Sequence, residues 1–118
     1  MIRVVVADDH PIVRWGLVTL LGEQPGAEVV GEATDGLQAI ELTRALRPDV
    51  VVLDVSMPGC NGIRATGVLH RDQPDLRVVL VSALGWGAMP EAARRAGAYR
   101  YVAKSAPAHE LLAAVFGV

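Results

Sequence analysis

The sequence predicts an α/β fold: a doubly wound, five-stranded parallel sheet with five helices. Short apolar runs rich in β-branched residues alternate with segments in which apolar residues recur at helical spacing, and Gly or Pro residues separate the two kinds of segment. Strands that alternate with helices favour a parallel sheet with right-handed crossovers. We predict strands over residues 2–7, 28–33, 50–53, 76–81 and 99–103.

The first two helices have clear starts and stops. Pro11, which a first helical turn tolerates, begins a helix that runs to about Leu21. Its apolar residues at helical spacing are Val13, Leu17, Leu20 and Leu21. Asp35 can cap a second helix over residues 37–46, which Pro48 ends. We expect the apolar residues of this second helix to turn inward, namely Leu37, Ile40 and Leu46.

The second half of the chain is less regular. The third strand runs directly into Asp54 and a loop rich in Pro and Gly, after which Asn61 can cap a helix. Residues 84–90 contain two glycines and a proline, so we predict a loop there and a short or mobile fourth helix that ends before Gly97. The remaining helices are predicted over residues 62–70, 90–96 and 107–116.

Size and charge exclude several classes of protein. A chain of 118 residues has room for one domain with a core. A formal net charge of −2, 4% aromatic residues and no basic run longer than Arg94-Arg95 argue against direct nucleic-acid binding. No apolar run approaches the roughly 18 residues of a membrane span, and the lone Cys60 fits a reducing compartment. We therefore expect a cytoplasmic domain without a membrane partner.

Polar side chains follow four of the predicted strands. Asp8 and Asp9 come after the first strand, Asp54 after the third, Ser82 after the fourth and Lys104 after the fifth. Because ligands bind at the carboxyl ends of parallel strands, we expect these side chains to form one site. Carboxylates about 5 Å apart repel by roughly 3 kcal/mol per pair at an effective dielectric constant of about 20. Mg²⁺ relieves this repulsion, and a set of oxygen ligands suits it better than zinc.

Such a site can accept a phosphoryl group. Asp54, facing Mg²⁺, an ammonium and a hydroxyl, can attack phosphorus in line and become an acyl phosphate. Ala83 is small enough to leave the phosphate room. His10 is expected to be a turn or capping residue rather than a metal ligand. Taken alone, Asp54 is more readily interpreted as a helix cap or a turn aspartate.

Over essentially its whole length the chain resembles the receiver domains of two-component response regulators. The matching pieces are VVVADDHPIVRWGL, DVSMPGCNG, VSALG and GAYRYVAK, in that order, and Lys104 follows Ser82 at the family's spacing. The segment DDHPIVRWGL is similar, more narrowly, to receivers that are attached to LuxR-type helix-turn-helix output domains. The resemblance implies a (βα)5 flavodoxin-like receiver domain over residues 1–118, with the DNA-binding output domain absent from this chain.

The resemblance also implies a role for each site residue. Asp54 is the phosphoacceptor, and Asp9 and Asp54 give side-chain oxygens to Mg²⁺. Asp8 acts mainly through a bound water, and Ser56 gives its backbone carbonyl.

A switch and its partners follow from the same resemblance. Ser82 and Lys104 hold the phosphate, and Tyr101 changes rotamer when Ser82 moves. The face formed by helix 4, strand 5 and helix 5 then reports phosphorylation to the output domain and so controls transcription. The phosphoryl group comes from a phosphohistidine on a sensor histidine kinase.

Some features depart from the family pattern. Lys104 is followed by Ser105 rather than proline, so a cis peptide bond is not expected there. The irregular stretch around Trp86 leaves open a pseudo-receiver that works as a phosphorylation-independent interaction module. A metal-dependent phosphatase of the haloacid dehalogenase type is a further alternative, but it requires a DxD pair after the first strand, whereas Asp8 and Asp9 are adjacent. Trp15 and Trp86 are candidate interface residues, for example in a homodimer.

Overall fold

The structure is a computed structural model, and it describes residues 1–83 and 88–118. Within these residues five strands alternate with five helices, as predicted. The strands are β1 (Ile2–Ala7), β2 (Ala27–Ala33), β3 (Val50–Asp54), β4 (Arg77–Ser82) and β5 (Arg100–Ala103). The helices are α1 (Pro11–Gly22), α2 (Gly36–Leu46), α3 (Gly62–Asp72), α4 (Glu91–Ala96) and α5 (Ala108–Phe116).

The strands form one parallel sheet in the order β2-β1-β3-β4-β5. This order confirms the predicted doubly wound fold. It places the carboxyl ends of β1, β3 and β4 side by side at the middle of one sheet edge, with β5 next to β4. Residues that follow these four strands are therefore brought together, although they are far apart in the chain.

The sheet separates two apolar layers. Alternate residues of the central strands, such as Val51 and Leu53, point into a layer that α2, α3 and α4 cover. The intervening residues, such as Val50 and Val52, point into a layer that α1 and α5 cover. Every residue of β3 is buried, which explains why this strand reads as a continuous apolar run rather than as an alternating one.

Two predictions about the helices have different outcomes. The fourth helix is short, as expected, with the six residues Glu91–Ala96. The prediction that Leu37 turns inward is wrong, because its side chain is 62% exposed. Leu37 lies in the first turn of α2, and the buried face of that helix is formed by Gly36, Ala39, Ile40 and Thr43.

Two further observations bear on the sequence-based expectations. No peptide bond among the described residues is cis, as expected for Lys104-Ser105. No helix in the described part of the chain is long and apolar enough to cross a membrane. The expected irregular stretch at Gly85, Trp86 and Gly87 lies outside the described residues.

Candidate functional site

The structure brings the predicted charged residues to one edge of the sheet. Asp8 and Asp9 directly follow β1, Asp54 is the last residue of β3, and Lys104 follows β5. The backbone N–H of Lys104 donates a hydrogen bond to the carbonyl oxygen of Ser82 at 2.7 Å, which fixes the end of β5 beside the end of β4. The predicted site is therefore contiguous.

Lys104 links the two most buried carboxylates. Its Nζ donates a hydrogen bond to Asp54 Oδ2 at 3.0 Å. The same Nζ lies 3.0 Å from Asp8 Oδ2. Asp8 and Asp54 are 0% and 1% exposed. Burial removes water from both carboxylates, so their negative charges need compensation from within the protein. The ammonium of Lys104 supplies it.

His10 contacts this cluster, although the sequence predicted for it only a turn or capping role. It occupies the N-cap position of α1, as expected, but its side chain makes no capping hydrogen bond. Instead Nδ1 lies 3.2 Å from Asp8 Oδ1, 3.1 Å from Asp9 Oδ1 and 3.8 Å from Asp54 Oδ2. The signal was present in the sequence, because the ring directly follows the Asp8-Asp9 pair.

The electrostatics of Asp54 are unfavourable for a bare carboxylate. Burial raises the pKa of Asp54, and the charge of Asp8 raises it further. The hydrogen bonds from Lys104 and from the backbone N–H of Ser56 oppose this shift but do not cancel it. Burial alone would lower the pKa of Lys104, yet its contacts with Asp8 and Asp54 raise it overall, so the ammonium stays charged.

The oxygen atoms of the cluster fit a hard divalent cation. One ligand atom each from Asp8, Asp9, His10 and Asp54 lies within 4.8 Å of the others. Among the described residues, Asp8 Oδ2 and Asp9 Oδ1 are buried oxygens that accept no hydrogen bond of good geometry, although Lys104 Nζ lies 3.0 Å from the first and His10 Nδ1 lies 3.1 Å from the second. Buried acceptors of this kind are costly unless something binds them, and carboxylate oxygens are the ligands that Mg²⁺ prefers.

The loop after β3 holds Asp54 in place. The backbone N–H of Ser56 donates to Asp54 Oδ1 at 3.1 Å. The backbone N–H of Gly62, at the start of α3, donates to the carbonyl oxygen of Val55 at 2.9 Å. Asn61 caps α3 by accepting a hydrogen bond from the backbone N–H of Arg64, as predicted from the sequence. Backbone and side-chain hydrogen bonds therefore fix both ends of this loop.

The other predicted site residues lie around this centre. Ser82 is buried at the end of β4, and Ala83 follows it with an exposed side chain. Tyr101 is half-buried on β5, three residues before Lys104. Trp15 is 68% exposed on α1, which agrees with its position off the apolar stripe. Trp86 lies outside the described residues.

Comparison with known proteins identifies the family. The family model for the response regulator receiver domain matches residues 4–116. The response regulator GacA of Pseudomonas aeruginosa is 43% identical over 115 residues, which cover 98% of this chain and 54% of that protein. The chain therefore spans about half the length of the curated relative.

Solved structures agree in fold and in sequence. A LuxR-family two-component response regulator from Aurantimonas superposes with a TM-score of 0.92 at 38% identity, over 99% of this chain and 84% of that one. The receiver domain of the putative response regulator NarL from Mycobacterium tuberculosis superposes with a TM-score of 0.91 at 39% identity, over 98% and 94% of the two chains. The chain belongs to the receiver domain family of two-component response regulators.

Proposed function

We propose that Asp54 accepts a phosphoryl group and that the resulting acyl phosphate switches the domain. The observation that carries this proposal is the placement of Asp54, a buried carboxylate held between the ammonium of Lys104 and the backbone N–H of Ser56. A carboxylate that is fixed in this way is pre-oriented to attack, since it does not have to find its rotamer during the reaction.

The chemical step forms one bond and breaks one. A carboxylate oxygen of Asp54 forms a bond to phosphorus while the bond from phosphorus to the donor nitrogen of a phosphohistidine breaks, and the electron pair stays on that nitrogen. Lys104 Nζ already lies 3.0 Å from the carboxylate, so its ammonium can also stabilise the negative charge on the transferred phosphoryl oxygens. In this proposal Ser82 contributes a hydroxyl, and Ala83 leaves room for the phosphate.

We propose Mg²⁺ as the ion that this site requires. Asp9 and Asp54 would hold it by their side-chain oxygens, Ser56 by its backbone carbonyl, and Asp8 through water. When bound, the ion supplies positive charge that offsets the carboxylates and the transferred phosphoryl oxygens. The buried oxygens Asp8 Oδ2 and Asp9 Oδ1, which accept no hydrogen bond of good geometry, support this assignment.

The acyl phosphate changes the charge and the hydrogen-bond acceptors at the end of β3. A phosphoryl group adds about −1.5 to −2 charge and three acceptor oxygens. Ser82 at the end of β4 and Tyr101 on β5 are the residues through which we propose that this change reaches α4, β5 and α5. The hydrogen bond from the backbone N–H of Lys104 to the carbonyl oxygen of Ser82 connects the ends of β5 and β4 at the site.

The relatives indicate the biological setting of this domain. We propose that a sensor histidine kinase donates the phosphoryl group in the cytoplasm, and that the full-length protein carries a C-terminal helix-turn-helix domain that regulates transcription. In this proposal residues 1–118 form a receiver domain that takes part in its own phosphotransfer without turning over a substrate. The pseudo-receiver alternative is not supported by the comparisons, since the chain matches the receiver domain family and its relatives are named as response regulators. A homodimer through Trp15 stays a hypothesis.

Intact mass tests the proposal. The chain is incubated with acetyl phosphate and Mg²⁺, beside the variants Asp54→Asn and Asp75→Asn. Asp75 is an exposed carboxylate outside the site and serves as the matched control. We expect the native chain and Asp75→Asn to gain one phosphoryl group, only when Mg²⁺ is present, and Asp54→Asn to gain none. A gain that persists in Asp54→Asn would refute the proposal.

A further inference from the structure

A groove lies between α2 and α3, apart from the phosphorylation site. Its volume is about 510 Å³. Apolar side chains from both helices line it, namely Leu37, Ile40 and Val68. Two loop residues, Gly59 and Cys60, and two basic residues of α3, Arg64 and Arg71, complete the lining. An apolar floor with charged groups at its rim is a common pattern for a surface that binds a partner helix.

Leu37 is the unexpected apolar group in this groove. Its side chain is 62% exposed, although it stands on a helix whose neighbouring apolar residue Ile40 is 6% exposed. Val68 of α3 is only partly buried on the other side of the groove. Leu37 and Val68 therefore present apolar surface that the domain itself does not cover.

The two arginines stand on one face of α3. Residues 64, 68 and 71 are separated by four and then three positions, so Arg64, Val68 and Arg71 project from the same side of the helix. The rise of an α-helix places Arg64 and Arg71 about 10.5 Å apart along the axis, or two turns. Within residues 1–83 and 88–118, neither guanidinium makes an ion pair, whereas the nearby Arg44 pairs with Asp72 at 2.6 Å.

Local helix stability does not account for Arg64. It lies in the first turn of α3, which contains no acidic residue, and the helix dipole disfavours a cation at that end. Arg71, in contrast, lies in the last turn, where a cation is favourable. An unpaired arginine in an unfavourable position beside an exposed leucine indicates a contact with something outside the domain.

We propose that this groove binds an acidic amphipathic helix of a partner protein. Apolar side chains of that helix cover Leu37 and Val68, and two carboxylates seven residues apart pair with Arg64 and Arg71. Charge complementarity selects the acidic partner. A nucleic acid fits less well, because its phosphate backbone has no apolar surface to cover Leu37, and none of the residues that line the groove is aromatic.

The groove lies beside the loop that follows Asp54, because a residue of that loop, Cys60, lines it. Cys60 belongs to that loop, and the first residue of α2, Gly36, packs so tightly against it that an added Cβ would lie 2.9 Å from the Cβ of Cys60. A helix in the groove therefore touches both the start of α2 and the loop of the phosphorylation site.

A peptide selection tests the proposal without assuming a sequence. A display library of amphipathic helices, with a fixed apolar stripe and Glu, Lys or Gln at the flanking positions, is selected on the 118-residue chain. We expect enrichment of Glu pairs seven positions apart. Enrichment of Lys or of no charge pattern would overturn the proposal.

The selected peptides are then measured by fluorescence anisotropy against single variants. We expect Arg64→Glu and Arg71→Glu each to weaken binding about three- to tenfold, which corresponds to one ion pair. Arg47→Glu is the matched control, because Arg47 is exposed, lies outside the groove and carries the same charge. We expect Arg47→Glu to leave the affinity unchanged and Leu37→Ser to reduce it. Equal weakening by Arg47→Glu would overturn the proposal.

Two further measurements separate the alternatives. The first is competition by a short DNA duplex: if the duplex displaces the peptide and its binding is lost in Arg64→Glu, the groove binds nucleic acid and the proposal is overturned. The second is the oligomeric state of the chain: self-association that Arg64→Glu abolishes would also overturn the proposal. Phosphorylation of Asp54 by acetyl phosphate is measured in each variant and is expected to be unchanged, so that a failure of the groove and a failure of the phosphoacceptor assignment remain distinguishable.

Discussion

Gly62 is the position at which packing most directly controls the placement of Asp54. An added Cβ there would lie 2.8 Å from the Cα of Val55 and closer still to the carbonyl oxygen of Asp54. Ordinary van der Waals contact begins at 3.4 Å, so the Val55 contact alone requires the loop and α3 to separate by 0.6 Å, and the closer contact with the Asp54 oxygen requires more. Both neighbours are backbone atoms, which cannot move away by a change of rotamer.

We predict that Gly62→Ala destabilises the domain and slows phosphorylation. Overpacking typically costs about 1–3 kcal/mol, and the backbone contact places this variant near the upper end. Unfolding entropy of about 2.1 cal/mol/K per residue makes 1 kcal/mol equivalent to about 4 °C in a chain of this length, so we expect Tm to fall by about 8–12 °C. A displaced nucleophile also reacts more slowly, and we expect at least about a tenfold loss of phosphorylation rate.

Gly67→Ala is the matched control for this prediction. Gly67 lies in the same helix, and an added Cβ there meets nothing within 4 Å. We expect this variant to gain up to about 1 kcal/mol from helix propensity and to phosphorylate at the native rate. Thermal unfolding followed by circular dichroism and the kinetics of mass gain measure both effects. If Gly62→Ala were as stable and as reactive as Gly67→Ala, the reasoning would be wrong.

Three other predictions follow from the site and from the fourth helix. Because burial raises the pKa of Asp54 above its unfolded value, ionisation of this group disfavours folding. In EDTA we therefore expect Asp54→Asn to be more stable than the native chain at neutral pH. The difference should shrink as the pH falls through the raised pKa of Asp54 and level off near about pH 4, the ordinary pKa of an aspartate, and a difference that stays constant over this range in unfolding experiments would refute the prediction. We expect Mg²⁺ at ten times its dissociation constant to stabilise the native chain by about 1.4 kcal/mol. In a titration of Tm against Mg²⁺ concentration, Asp9→Asn should lose most of this stabilisation. Equal stabilisation of both chains would exclude Asp9 as a ligand. The amides of Ala88, Met89 and Glu91 are expected to exchange rapidly with solvent, as predicted from the glycines that precede α4, and uniformly slow exchange would contradict that prediction.

The order of the elements could be predicted because it depends on local patterns. β1 has the predicted bounds, and β2, β4 and β5 begin within one residue of theirs. Asp35 and Asn61 cap α2 and α3 as their residue types suggested. The sheet edge shared by Asp8, Asp9, Asp54 and Lys104 also follows from topology, since parallel strands bring their carboxyl ends together.

What the sequence did not reveal depends on contacts between distant elements. Leu37 reads as a core residue from its apolar side chain, but the buried face of α2 is formed by Gly36, Ala39, Ile40 and Thr43, and the turn of the helix directs Leu37 to one side of that face. Gly62 reads as a weak point of α3, whereas the structure gives it a packing role against the end of β3. The ring of His10 reaches three carboxylates because the turn after β1 folds back over them.

The most direct test of the central claim is to locate the phosphoryl group. After incubation with acetyl phosphate and Mg²⁺, the chain is treated with borohydride, which reduces an acyl phosphate to an alcohol, and is then digested and sequenced by mass spectrometry. We predict that the side chain of Asp54 is converted to that of homoserine and that all other carboxylates stay intact. Conversion at Asp8 or Asp9 with Asp54 unchanged would contradict the account.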